Sequence, residues 1–215
     1  MLDILMAIVD FVPVCMFLVA SIMLQRALYN KMSKGAFTLF ASGTIFVFVA
    51  GFLKATHKLL YYTGVCDFIS LKEAFFPMQT IGFVLASAGI LAIFVYKQGE
   101  HKEYGLLLPA LAFIAPAPYK GTMIFVVLMV LGVLILDGCL FRIAIHLKSK
   151  PACILIVVAF IFTLAMGYLA SNGTIDDWIK EIVNTIGQGA LLLSTIMLKN
   201  KGLEEKDSLK GLIKE

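Results

Sequence analysis

The sequence predicts an all-α membrane protein: a bundle of seven transmembrane helices, N-terminus outside and C-terminus in the cytoplasm. Three observations carry that expectation. The chain is 60% hydrophobic with a mean hydropathy of +0.95, and only 15% of its residues are charged, against about 25% in soluble domains. Such a chain cannot hide its apolar surface in one water-soluble core. Its apolar residues come in long continuous stretches, most near the length of about 20 residues that crosses a hydrocarbon layer of about 30 Å. Its basic residues gather at alternate ends of those stretches.

The first stretch, 4–25, follows MLD, with its Asp3, and holds Asp10 but no Lys or Arg. Without a basic start and a clear small-residue cleavage site it reads as a retained span, not a secretory signal. Pro13 is interior to it and predicts a kink. The second stretch, 35–56, follows the basic linker RALYNKMSKG and runs into GFLKATHKLLYYTG. The third, 74–96, has Pro77 near its start, where proline is accommodated. The fourth, 104–117, is short and holds Pro109 and Pro116, so it reads as a broken or partial span. Stretches 121–141, 152–170 and 179–198 complete the set. Spanning strands are not expected, because the stretches lack the alternation that a barrel needs. The organisation read from this pattern is one transmembrane domain over 1–200 and a short cytoplasmic tail over 201–215, frayed or lying on the surface as a helix.

Orientation follows from Lys and Arg in the connecting segments. With the N-terminus outside, the inner segments hold Arg26, Lys31, Lys34, Lys97, Lys102, Arg142, Lys148, Lys150 and the lysines of the tail. The outer side holds Lys54, Lys58, Lys72, Lys120 and Lys180. Trp178, the lone tryptophan, fits an outer aromatic belt. The localisation implied is a multi-pass protein of the cell membrane.

The chain also matches itself. Residues 15–55 laid over 131–171 place Arg26 on Arg142, Ser33 on Ser149, Lys34 on Lys150, Ala36 on Ala152 and Gly51 on Gly167. Beyond a shorter loop, Gln79-Thr80-Ile81-Gly82 meets Asn184-Thr185-Ile186-Gly187. Chance similarity between apolar helices is the competing explanation. Taken as a repeat, 4–96 and 121–199 are two three-span units joined by a linker helix, 104–117. An odd linker leaves both units in the same orientation, related by an axis along the membrane normal. This 3+1+3 layout is similar to that of SWEET-type sugar carriers and their relatives. The resemblance is architectural: the Pro-Gln signature of that wider family is absent, and it assigns no residue roles.

Polar residues inside spans are costly and ask for a reason. Gln79, Thr80, Asn184, Thr185 and Gln188 lie in the outer half of their helices, with Asn184 and Gln188 on one face at i,i+4 spacing. They read either as hydrogen-bonding glue between helices or as the floor of an outward-facing binding cavity. Lys54, His57 and Lys58 stand at the outer end of the second span. Either they reach headgroups while Tyr61 and Tyr62 anchor the belt, or they rim a pocket that accepts an anion, with Asp10 pairing with Lys54 when the pocket is free. Asp137 reads as a carboxylate bonded near the inner end of its helix or as a proton- or cation-coupling group.

Enzyme motifs are missing. There is no Gly-rich phosphate loop, HExxH, GxSxG or acidic metal cluster. His57, His101 and His146 fall on both sides, and the last span has no central lysine for a retinal Schiff base. The four cysteines, Cys15, Cys66, Cys139 and Cys153, show no metal-ligand spacing. No catalytic residue, cofactor or metal is expected. The expected function is a transporter or channel-like protein for a small solute or ion, bound in an outward-facing cavity between helices 1, 2, 3 and 7. A seven-helix sensor or accessory subunit is the alternative; a lipid-modifying enzyme using Lys54, His57 and Asp10 is the second. The partners implied are the lipid bilayer and a small polar or anionic ligand. A second copy of the chain or another membrane protein also fits; nucleic acid does not.

Overall fold

The structure, a computed structural model, describes residues 2–95, 122–171, 176–205, 208–209 and 211–212. Among the described residues the chain is all-helical, without strands, and six helical segments are long and apolar enough to cross a membrane. The first comprises α1 (Leu2–Val9) and α2 (Phe11–Leu28); the second is α3 (Lys34–Tyr62). The third joins a short α4 (Ile69–Glu73) to α5 (Phe75–Val95). Then come α6 (Thr122–His146), α7 (Lys150–Ser171) and α8 (Asp177–Asn200). Six of the seven expected spans are thus present; the expected linker helix, 104–117, lies outside the described residues.

Local chemistry sets the boundaries. Ser33 is extended, and its Oγ accepts from Ala36 N at 3.2 Å to open α3. Asp176 opens α8 by accepting from Trp178 N at 3.0 Å. Gly64 closes α3 at φ +71°, and Val65 N donates back to Leu60 O. The expected disturbance in the first span falls at Asp10, between α1 and α2. Pro13 has no N–H to offer the Val9 carbonyl one turn before it.

The spans close into a ring in chain order: α2 packs on α3, α3 on α5, α5 on α6, α6 on α7, α7 on α8, and α8 returns to α2. The most extensive contact joins α3 and α5, whose backbones touch. A Cβ on Gly43 would lie 2.3 Å from Ala86 N, one on Gly82 2.8 Å from Gly43 O, and one on Gly89 2.5 Å from Phe40 N. With no hydrophobic force between helices in lipid, such small-residue contact supplies the packing. Between α7 and α8, Gly187 packs against Phe162 Cβ and Ala159 O. Gly51 packs on Val14, whereas a Cβ on Gly167 would meet no described atom within 4 Å. Large apolar side chains such as Ile22, Ile45 and Ile154 are exposed on the outside of the ring, as a lipid-facing surface requires.

Helix directions follow from the contacts. Near the start of both α5 and α6, Thr80 Oγ1 donates to Phe125 O at 3.0 Å. Further along, Gly132 abuts Phe83, and near both ends Arg142 lies 5.3 Å from the Phe94 ring centroid. α5 and α6 therefore run parallel, with Val95 at one end of the bundle and Thr122 at the other. α8 runs parallel to α2: Glu181 meets Lys58 beside Asp10 at one end, and Leu203 meets Lys31 at the other.

The tail differs from the expected surface helix. Its described residues form turns, and Leu203 and Leu209 are buried in the same core as the bundle. Gly202 at φ +85° stops α8 and lets the chain fold back. Lys31 Nζ then donates to Leu203 O and, at 2.8 Å, to Ala27 O. Burial pulls the Lys31 ammonium below its ordinary pKa, with Glu204 opposing.

Candidate functional site

Two polar centres lie within the ring. The first stands where the α1–α2 break, the end of α3 and the start of α8 converge. Helical spacing puts Lys54 and Lys58 on one face of α3, and the break places Asp10 opposite. Lys58 Nζ lies 3.0 Å from Asp10 Oδ2 and 2.7 Å from Glu181 Oε1. Both carboxylates are almost fully buried, and Glu181 is 1% exposed. Lys54 does not pair with Asp10 as expected; its Nζ sits 4.8 Å from the Phe75 ring centroid. One turn deeper than Lys58, it meets α5 instead of the α1–α2 break. His57 is buried, its Nδ1 3.9 Å from Asp67 Oδ1 and its ring beside Tyr61.

The cluster is close to charge-balanced, with Lys54 and Lys58 set against Asp10 and Glu181. Lys58, one of the two residues expected to rim an anion pocket, is engaged by internal carboxylates. Glu181 is the member that sequence reasoning missed. A signal existed: Asp177, Glu181, Asn184 and Gln188 recur at three- and four-residue spacing and form one polar stripe along α8.

The second centre is a cavity of about 20 Å³ midway along the bundle. Phe17 of α2 and Phe83 of α5 wall it from the first three spans; Asp137 of α6, Thr163 of α7 and Gln188 of α8 line it from the last three. Asp137 is 7% exposed and makes no hydrogen bond or ion pair with a described residue. Gln188 Oε1 is buried and likewise accepts no hydrogen bond. Thr163 Oγ1 donates to Ala159 O at 2.9 Å, which leaves its lone pairs available.

Of the other expected ligands, none lines this cavity. Thr80 is buried and bonded to α6, as interhelical glue would be. Gln79, Asn184 and Thr185 are half-buried and make no hydrogen bond with a described residue. Gln25 and Thr44, not singled out by sequence, join α2 to α3 at 2.8 Å. No group of three metal-ligating side chains occurs among the described residues.

The chain matches no protein-family model, no curated protein and no solved structure.

Proposed function

We propose that the protein is an integral membrane transporter for a small solute or ion, with the N-terminus outside and two three-span halves standing in the same direction around the central cavity. The observation that carries this reading is Asp137. It is a buried carboxylate deep in a span, without a partner among the described residues, facing a cavity walled by both halves. An ionisable group at such depth is expensive, and its retention there points to use.

Several features support the rest. Parallel α5 and α6 fit an odd number of crossings between them. Both α3 and α7 begin at matched lysines, Lys34 and Lys150. Gly82 and Gly187, matched in sequence, each pack on the antiparallel helix before them, against the matched carbonyls of Gly43 and Ala159. The end that carries Lys31, Lys34, Lys148, Lys150 and Lys201 is the cytoplasmic one by the positive-inside rule. At the opposite end Lys58 is set against Asp10 and Glu181, and Lys180 against Asp177.

Reconstitution tests the proposal. Proteoliposomes holding the protein should accumulate at least one member of a panel of labelled sugars, amino acids, carboxylates and inorganic ions above protein-free vesicles. Asp137→Asn and Gln188→Ala should abolish that uptake while still eluting as folded protein. Uptake of every panel member equal to that of empty vesicles, or full activity in both variants, overturns it.

A further inference from the structure

We infer that the cavity between Asp137, Thr163 and Gln188 is a binding site for one unit of positive charge, carried by a proton or a sodium ion. This rests on the transporter reading above and names what the site takes. Size is the first argument. A cavity of about 20 Å³ admits about one water-sized occupant, so no sugar or amino acid fits it in this conformation.

Charge is the second argument. An ionised carboxylate without a partner is strongly disfavoured at membrane depth. Among the described residues none supplies a counter-ion at this level. α5 carries no titratable side chain, the lining residues of α2, α7 and α8 are uncharged, and Cys153 and Tyr168 of α7 lie outside the lining. On α6 itself, Cys139 is buried away from the cavity, and Arg142 is turned onto the Phe94 ring. Neutralisation then falls to an occupant of the cavity.

Donor chemistry is the third. Asp137, Thr163 and Gln188 all line the cavity; Gln188 Oε1 is buried without a hydrogen-bond partner among the described residues, and Thr163 keeps its hydroxyl lone pairs. Oxygens lining so small a cavity are satisfied by a cation, or by a proton on Asp137 whose O–H donates to an acceptor there. The set is all oxygen with a single carboxylate. That suits a hard monovalent ion and falls short of what calcium takes.

The test reads binding, not transport. In nanodiscs at constant ionic strength, the melting temperature should rise when sodium chloride replaces choline chloride. Alternatively, the infrared band of a protonated carboxyl should titrate with pH at fixed sodium. Either response should vanish in Asp137→Asn. In Gln188→Leu the apparent affinity, for sodium or for the proton, should fall about tenfold. Should Asp137→Asn fail to fold, Gln188→Leu and Thr163→Val carry the same test. The inference is overturned if neither sodium nor pH produces a response, or if the responses persist unchanged in the variants. A protein that binds the cation and moves no solute sinks the transporter reading alone. One that transports independently of sodium and pH sinks this inference alone.

Discussion

The Lys58 ammonium stands 2.7 Å from Glu181 Oε1, joining the end of α3 to the start of α8 across 123 residues of sequence. The same ammonium reaches Asp10 at 3.0 Å, so one lysine holds two buried carboxylates. Together they tie the last span to the first two at the end of the ring where α8 closes on α2.

Removing the lysine should therefore hurt more than removing one of its partners. Lys58→Met leaves Asp10 and Glu181 facing each other in a dry site. Breaking a buried pair in this way costs about 3–5 kcal/mol. Glu181→Gln keeps the Lys58–Asp10 pair and should cost less. The decisive comparison is the double variant Lys58→Met/Glu181→Gln, which should melt above Lys58→Met alone. Additive losses in the thermal melts would mean that Lys58 and Glu181 do not interact as the geometry requires.

The touching backbones of α3 and α5 make a second prediction. Gly82→Ala and Gly89→Ala each place a methyl under 3 Å from backbone atoms of α3, so the helices must separate, at a cost of about 1–3 kcal/mol. Gly138→Ala is the control: a Cβ there meets no described atom within 4 Å, and the change should raise helix stability by up to about 1 kcal/mol. Equal melting temperatures for Gly82→Ala and Gly138→Ala would refute the packing.

How much of this was legible follows from what each feature depends on. The six described spans were visible because lipid exposure demands unbroken apolar length, which a single sequence displays. Ser33 and Asp176 open helices by local hydrogen bonds, and Gly64 ends one by its left-handed backbone. The Lys58–Glu181 bridge was not legible, because nothing local to either residue names a partner so far away in the chain. For Glu181 the one signal in the sequence is the stripe it shares with Asn184 and Gln188. The tail misled for a similar reason. Its mixed charges suggest a solvated helix, while Leu203 and Leu209 find the core only after Gly202 turns the chain back.

That fold-back predicts a role for Lys31. Lys31→Met removes the donor to Leu203 O and should loosen the tail, read as faster proteolysis after Asn200. A pH signature accompanies it. Burial lowers the Lys31 pKa in the folded state, so the unfolded chain holds the proton more tightly. Stability should rise as pH climbs from the folded pKa to the ordinary lysine value, where the unfolded chain binds more protons. Below that window the penalty is present in full, and above it the penalty is absent. Lys31→Met should flatten this rise relative to the wild type; an unchanged slope would show that Lys31 keeps its ordinary pKa when folded.

Thr80 separates glue from site. Its hydroxyl joins α5 to α6 at 3.0 Å, and Thr80→Val should cost about 0.6 kcal/mol, the mean for such bonds in membranes. Any solute flux of the reconstituted protein should survive it, whereas Gln188→Ala should abolish the flux. Loss of flux in a well-folded Thr80→Val protein would move Thr80 from the frame into the binding machinery.

The parallel course of α5 and α6 gives the last prediction, which concerns topology. If the two helices run the same way, the α2–α3 turn and the α6–α7 turn lie on one side of the membrane. Single cysteines at Asn30 and Lys148, in a background with Cys15, Cys66, Cys139 and Cys153 replaced by serine, should then share one pattern of labelling. Cysteines at Val65 and Asp176 should show the opposite pattern, because they follow α3 and precede α8 at the other end. With the N-terminus outside, a membrane-impermeant maleimide added to intact cells should reach Val65 and Asp176 and spare Asn30 and Lys148. Full reversal would keep the parallel halves and invert the orientation. Labelling of Asn30 and Lys148 from opposite sides would place α5 and α6 antiparallel, and the matched halves could not then stand in the same direction around Asp137.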